Sequence, residues 1–217
     1  MNKLRVIDLN TMDYPSAMEF MRTTRDEVER GEDDTLLLVE HGTVITIGVD
    51  GDEAGLVDRG YIDRHGIPVI RTDRGGESVV HNAGQLVAYP VMKVQKGTLD
   101  MVGAVTGAIM DVIADYSLRP ETGSEPGVWV AGQKLGFVGM KIERGVSLHG
   151  VAINVSNDLG PFRAIKTCGI ENEKVTSLTL ATKKLIAVDD VKRRFVSRFS
   201  RRLGYLPDRF ILREGNG

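Results

Sequence analysis

The chain has 217 residues, 41% of them apolar and 27% charged, with a formal net charge of −2, enough for one ordinary folding unit to bury a full hydrophobic core. That balance excludes a disordered or fibrous chain, and without a basic excess there is no electrostatic footprint for nucleic acid. Apolar runs such as "TLLLV" and "LVAYPVM" fall far short of the roughly 20 residues that cross a bilayer, so no membrane span is expected.

From the N-terminus, "MNKLRVIDLNTMDYPSAMEFM" lacks the basic, apolar, small-residue order of a secretory signal. Residues 14–30 follow as a helix with Ala17, Met18, Met21 and Val28 near one side, then the turn "GEDD" and strands "TLLLVE" and "TVITIG". Further strands are expected at "IPVIRT" and "LVAYPVMKV". Residues 98–116 place Val102, Val105, Ile109, Val112 and Ile113 at helical spacing, with Thr98 as the expected N-cap. The runs 127–142 and 146–155, joined at "ERG", read as a hairpin.

Residues 188–203 give the plainest helix, because Val188, Val191, Phe195 and Phe199 form one stripe. Asp189 and Asp190 lie in its first turn, Arg201 and Arg202 in its last, and Gly204 just beyond. The row Lys192, Arg193, Arg194 and Arg198 is therefore expected to be a solvated face. Strands next to strands, with helices between some of them, argue for an α+β fold with a mixed sheet rather than a regular doubly wound one. No linker, repeat or low-complexity tract divides the chain, so residues 1–217 are read as a single domain.

Cys168 is the only cysteine, so no intramolecular disulfide can form and the cytoplasm is the expected location. Four histidines, His41, His65, His81 and His149, have no metal-ligand spacing, and no metal is expected. A lone cysteine is commonly a small buried hydrophobe. Against that, "NDLGPFRAIKTCG" has the composition of a loop, where functional residues concentrate, and Arg163 and Lys166 nearby would favour a thiolate.

"RTDRGGESVVHNAGQLVAYP" sets a glycine pair behind two arginines, which suits close backbone approach to an acyl or phosphate carrier. An ordinary glycine turn has the same appearance. Lys134 in "GVWVAGQKLGFVG" is either a desolvated, proton-exchanging amine or a lysine whose head snorkels to water. His149 in "SLHGVAIN" reads as a structural hydrogen-bonding group more readily than as a base.

Taken together, these stretches resemble the lipoyl(octanoyl) transferases. The resemblance covers roughly residues 35–180 in order: "VEHGTVITIG", "RGG....H..GQLVAYP", "GVWV..QKLGFVGMKIERGVSLHGVAINV" and "DLGPF" before "VTSL", with "CG" between them. It implies the biotin and lipoate protein ligase fold, with a class II synthetase-like core, and neither metal nor nucleotide in catalysis. It also implies a two-step reaction. Cys168 takes an octanoyl (or lipoyl) group from the phosphopantetheine thioester of acyl carrier protein, and a lysine of a lipoyl domain removes it as an amide. The acceptors implied are the lipoyl domains of 2-oxoacid dehydrogenase complexes or the glycine cleavage H protein.

On this resemblance Lys134 lowers the thiol's pKa and then, once Cys168 is acylated and uncharged, serves as general base. Arg74, Gly75, Gly76, His81, Gly84 and Gln85 line the acyl site, with Gly136, Val138 and Gly139 after the lysine and Ser147, His149 and Gly150 on the adjoining strand. Backbone N–H groups around Gly169 or within 75–84 would hold the oxyanion. Acidic carrier and lipoyl domains would be steered by some of Arg71, Arg74, Arg163 and Lys166.

Two stretches depart from the family pattern. "VHNAGQ" stands where "YHGPGQ" is usual, and "KTCG" where "NPCG" is usual, which leaves loop rigidity and chain-length preference open. The alternatives are an ATP-dependent lipoate-protein ligase of the same fold, which needs no cysteine, and a noncatalytic module that binds lipoyl domains.

Overall fold

The computed structural model describes residues 3–94, 97–123, 125–170 and 173–212. Its strands are β1 (Lys3–Thr11), β2 (Thr35–Glu40), β3 (Val44–Ile47), β4 (Val69–Arg71), β5 (Ser78–His81), β6 (Gln85–Val91), β7 (Pro120–Glu121), β8 (Gly127–Val130), β9 (Gln133–Glu143), β10 (Val146–Asn154) and β11 (Leu206–Leu212). The helices are α1 (Tyr14–Arg30), α2 (Arg59–Arg64), α3 (Thr98–Asp115), α4 (Leu178–Thr182) and α5 (Val188–Leu203). A large sheet runs β11-β1-β2-β6-β10-β9-β8-β7, and a small one runs β4-β3-β5. β1 is parallel to both β11 and β2, while the pairs from β2 through to β7 are antiparallel. The sheet is mixed, as the strand-next-to-strand pattern requires.

The expected helix at 14–30 forms with Asp13 as its cap, the carboxylate accepting from Ser16 N, and with Gly31 at φ 112 ending it. Its buried side, including Ala17, Met18, Met21 and Val28, packs on one face of the large sheet together with β3, β5 and the Phe162 loop. α3 and α5 cover the opposite face. The space between the large sheet and the small one is where the chemistry-bearing stretches converge.

The structure corrects three readings. α3 starts at Thr98 itself, with Gly97 at φ 113 in the cap position and no side-chain cap bond, so Thr98 is inside the helix rather than before it. The run 127–142 is two strands, because Ala131 and Gly132, at φ 49 and 69, form the tight turn with both central residues left-handed that joins twisted strands. The row on α5 is a solvated face only in part: Arg193 is exposed and pairs with Asp190 of its own helix. Lys192 is 3% exposed and its Nζ lies 3.0 and 3.1 Å from the Asp8 carboxylate oxygens. Arg198 pairs with Asp115 of α3, and Arg202, beyond the row, with Asp111, so the row contributes to an ion-paired seam between the two helices through Arg198. Position 192 is one residue from Val191 and three from Phe195, so it shares the buried stripe.

Candidate active site

The lysine's position depends on one inserted residue. Val128 pairs with Gly136 and Trp129 with Lys134, which leaves Leu135 as an extra residue in β9, a β-bulge that re-aims the side chains beyond it. Leu135 packs with the α3 side of the sheet, and a Cβ on Gly136 would meet Ile109 of α3 at 2.9 Å. Lys134 is thereby turned to the other face, where its Nζ lies 4.3 Å from the Trp129 ring and 5.6 Å from that of Phe137. It is fully buried, and its Nζ has no hydrogen-bond partner among the described residues. Its backbone is clamped to the segment after the cysteine by Lys134 N to Lys174 O at 2.7 Å and Thr176 N to Lys134 O at 2.9 Å. The lysine does not snorkel.

Cys168 is half-buried in the loop that leads to α4, at φ 52, left-handed backbone that a non-glycine residue rarely adopts. Its N–H donates to Ser78 O at 3.2 Å, at the start of β5, and Thr167 bridges the same residue. Burial pushes the thiol above its ordinary value, while first the Lys134 ammonium and then Arg74 pull it back. Arg163 and Lys166, which the sequence offered as the activating cations, line a separate groove on the far side of the loop with Glu173. The cations that act on the sulfur come from β9 and the glycine pair.

Cys168 lies where two cavities meet. One is a largely apolar slot lined by Tyr14, Val79, Val87, Tyr89, Phe137, Val151 and Ala152, with Arg74, Gly76, His81, Val138, Gly139, His149 and Gly150 also on its walls. Val79 and His81 alternate along β5 from Ser78, so the slot follows the strand from its cysteine end towards His81, about 10 Å along β5. The other is an open groove of about 400 Å³ that shares Gly76, Glu77, Val138, Gly139 and Cys168 with the slot. Gly75 and Gly139 let two backbones touch here: a Cβ on Gly139 would be 2.8 Å from Gly75 O.

The inner end of the slot is polar and mostly paired, with His149 Nδ1 left without a partner among the described residues. Gln85 gives its amide hydrogens to Val80 O and Asn154 Oδ1, so its oxygen accepts from His81 Nδ1 at 2.7 Å. His41 donates from Nδ1 to Met12 O and accepts from the Tyr89 hydroxyl at Nε2, 2.7 Å away. Burial holds His81 at about 3 and His41 at about 4, leaving both neutral. His149, left-handed at φ 58, donates from Nε2 to Asp73 at 2.9 Å. Arg74 is 6% exposed and spends its N–H groups on the oxygens of Thr46, Gly75 and Glu77.

Other expected site residues stand behind this wall. Gly136 faces α3. Ser147 donates to Pro90 O at 2.6 Å and accepts from Met92 N, tying β10 to the end of β6. Gly84 and Gln85 shape the turn under His81, with Gly84 N donating to Glu40 at 2.9 Å. The glycine N–H groups among the expected oxyanion donors are already engaged: Gly169 N with Lys166 O, Gly75 N with Met140 O and Gly76 N with Asp50. Sequence reasoning missed Tyr14, Asp73, Glu77 and Tyr89. The tyrosines and Asp73 carry no motif spacing that would single them out, but Glu77 directly follows the glycine pair and could have been considered with it.

Both departures from the family pattern are compensated by hydrogen bonds. Asn82 donates to Asp158 O at 2.7 Å and accepts from Asn157 at 2.9 Å, which fixes the turn that lacks proline. Before the cysteine, Lys166 N donates to Gly55 O at 2.7 Å, and Thr167 is 2% exposed.

Residues 13–200 match the lipoyl protein ligase A/B catalytic domain family. The chain is 37% identical over 209 residues to an octanoyltransferase of Dictyoglomus turgidum, covering 94% of this chain and 90% of that one. It is 39% identical over 198 residues to an octanoyltransferase of Dictyoglomus thermophilum, covering 89% and 85%. Among solved structures, a lipoate-protein ligase A bound with ATP superposes with a TM-score of 0.84 at 18% identity, over 99% of this chain and 90% of that one.

Proposed function

We propose, from the premise that the chain belongs to the lipoyl protein ligase A/B catalytic domain family and is an octanoyltransferase, that Cys168 carries the octanoyl group and Lys134 moves the protons. The observation that carries this reading is the pairing of a half-buried thiol at the mouth of an apolar slot with a fully buried lysine whose charge acts on it and which has no hydrogen-bonded partner among the described residues.

Burial raises the thiol's pKa, so the reactive form is the thiolate held beside the Lys134 ammonium, the proton having passed from sulfur to amine. The resulting thiolate displaces the donor's thiolate from the octanoyl carbonyl, and Lys134 returns the proton to the leaving sulfur. In the second half the acceptor's amine, having lost its ammonium proton to solvent, attacks the thioester. Lys134 takes the remaining N–H proton, and Cys168 leaves as a thiolate beside the renewed ammonium. With the glycine N–H groups occupied, Lys134 and Arg74 are the positive charges available to the developing oxyanion. Thioester exchange is nearly balanced, and amide formation drives the cycle.

The slot's apolar walls suit an alkyl tail, whose burial contributes about 0.8 kcal/mol per methylene. The donor is octanoyl-acyl carrier protein. The acceptors are lysines of lipoyl domains in 2-oxoacid dehydrogenase complexes or of the glycine cleavage H protein, and the reaction takes place in the cytoplasm. No helix among the described residues is long and apolar enough to cross a membrane. Incubation with octanoyl-acyl carrier protein and no nucleotide should add one octanoyl mass on Cys168, and Cys168→Ser should abolish it. Formation of an octanoyl adenylate from ATP and free acid, with no mass on Cys168, would overturn the reading in favour of ligation.

A further inference from the structure

The second half-reaction requires a site for a cation, because a lysine side chain arrives as an ammonium. The open groove at Cys168 carries Asp50, Glu77 and Glu125 and no lysine or arginine on its described walls. The groove on the other side of the cysteine loop presents Arg163 and Lys166 beside Glu173 and is the poorer host for a positive charge.

Within the acidic groove, Asp50 already accepts Gly76 N at 2.8 Å, whereas Glu77 lies against the residue that follows the cysteine. A Cβ placed on Gly169, at φ 75, would be 2.3 Å from Glu77 Oε1 and 2.5 Å from Oε2. The carboxylate therefore lies against the backbone of the residue next to the nucleophile, in space that only a glycine leaves open. Glu77 also borders both the acyl slot and the groove. It forms no side-chain ion pair or hydrogen bond among the described residues. A half-buried carboxylate at a reaction centre without a cation of its own is a site for a substrate's cation.

Resting on the transferase reading above, we infer that the acceptor's lysine enters through the groove lined by Asp50 and Glu77, and that Glu77 binds its ammonium beside acyl-Cys168. The carboxylate holds the side chain along the groove until the proton departs, which leaves the neutral amine next to the thioester.

Acyl-enzyme prepared on Cys168 with octanoyl thioester and then mixed with a lipoyl domain separates this role from a structural one. Glu77→Gln should raise the acceptor KM at least about tenfold, the loss expected when a charge-assisted hydrogen bond is removed, and Glu77→Asp should restore much of it. Hydroxylamine, a neutral nucleophile near pH 7, should discharge the Glu77→Gln acyl-enzyme as fast as the wild-type one. An unchanged acceptor KM in Glu77→Gln overturns the inference, and so does an equal loss towards hydroxylamine, which marks general damage to the site. If the wild-type chain forms no acyl-Cys168, the transferase reading itself fails, an outcome distinct from either.

Discussion

At the scale of single residues, the site is governed by a contest on one sulfur. Burial raises the Cys168 pKa above the ordinary cysteine range, and Lys134 is the foremost opposing influence. Alkylation of the free protein by iodoacetamide should therefore rise with pH through a midpoint above that of an unperturbed cysteine. In Lys134→Met that midpoint should move higher still, with acyl transfer falling by about 10² to 10⁴. A midpoint unmoved by the substitution would remove Lys134 from the sulfur's surroundings. The candidate pair itself was legible in the sequence, because Cys168 and Lys134 fall on motif positions. The source of the activating charge was not. Arg163 and Lys166 are close to Cys168 along the chain, yet the loop turns them into another groove. The same holds for Asn82: its departure from the family's turn is readable, but its two bonds to the 157–158 turn join residues 75 or more positions apart.

At the scale of elements, the bulge in β9 decides which side of the sheet receives the lysine. Strand side chains alternate with a period of two, so without Leu135 the run from Lys134 would be re-registered and the amine would exchange faces. Deleting Leu135 should abolish transfer. Leu135→Ala, which keeps the extra residue but empties a fully buried position, should cost about 2–5 kcal/mol of stability and retain transfer in the folded fraction. Normal transfer by the deletion variant would refute the bulge's role. The sequence reveals a long apolar run here but not its division, since the turn at Ala131 and Gly132 carries no Asn-Gly or Asp-Gly signal. α5 teaches a related lesson. Its apolar stripe was plain, but a lysine beside that stripe enters the core when a buried carboxylate, here Asp8, stands opposite it.

At the scale of the molecule, three neutral histidines tie stability to pH. Burial, the leading cause for each, holds His81 at about 3 and His41 and His149 at about 4 in the folded chain, against 6.5 when free. The unfolded chain binds protons near pH 6.5 that the native state refuses, so stability is full above that pH and falls as pH drops from about 6.5 towards 4. Melting temperatures measured across this window should decline, and His41→Gln should make the decline shallower. A flat profile from about pH 7 to 4.5 would contradict the burial of these rings. The sequence by itself determined the reaction class, the candidate cysteine and lysine, and most helices and strands, because motif order and apolar period are properties of neighbouring positions. Only the tertiary structure decided which face Lys134 takes, which cations reach Cys168, that the glycine N–H groups are already bonded, and that the Glu77 carboxylate lies against Gly169. Burial, electric field and hydrogen-bond partnership are set by residues far apart in the chain, and no local spacing encodes them.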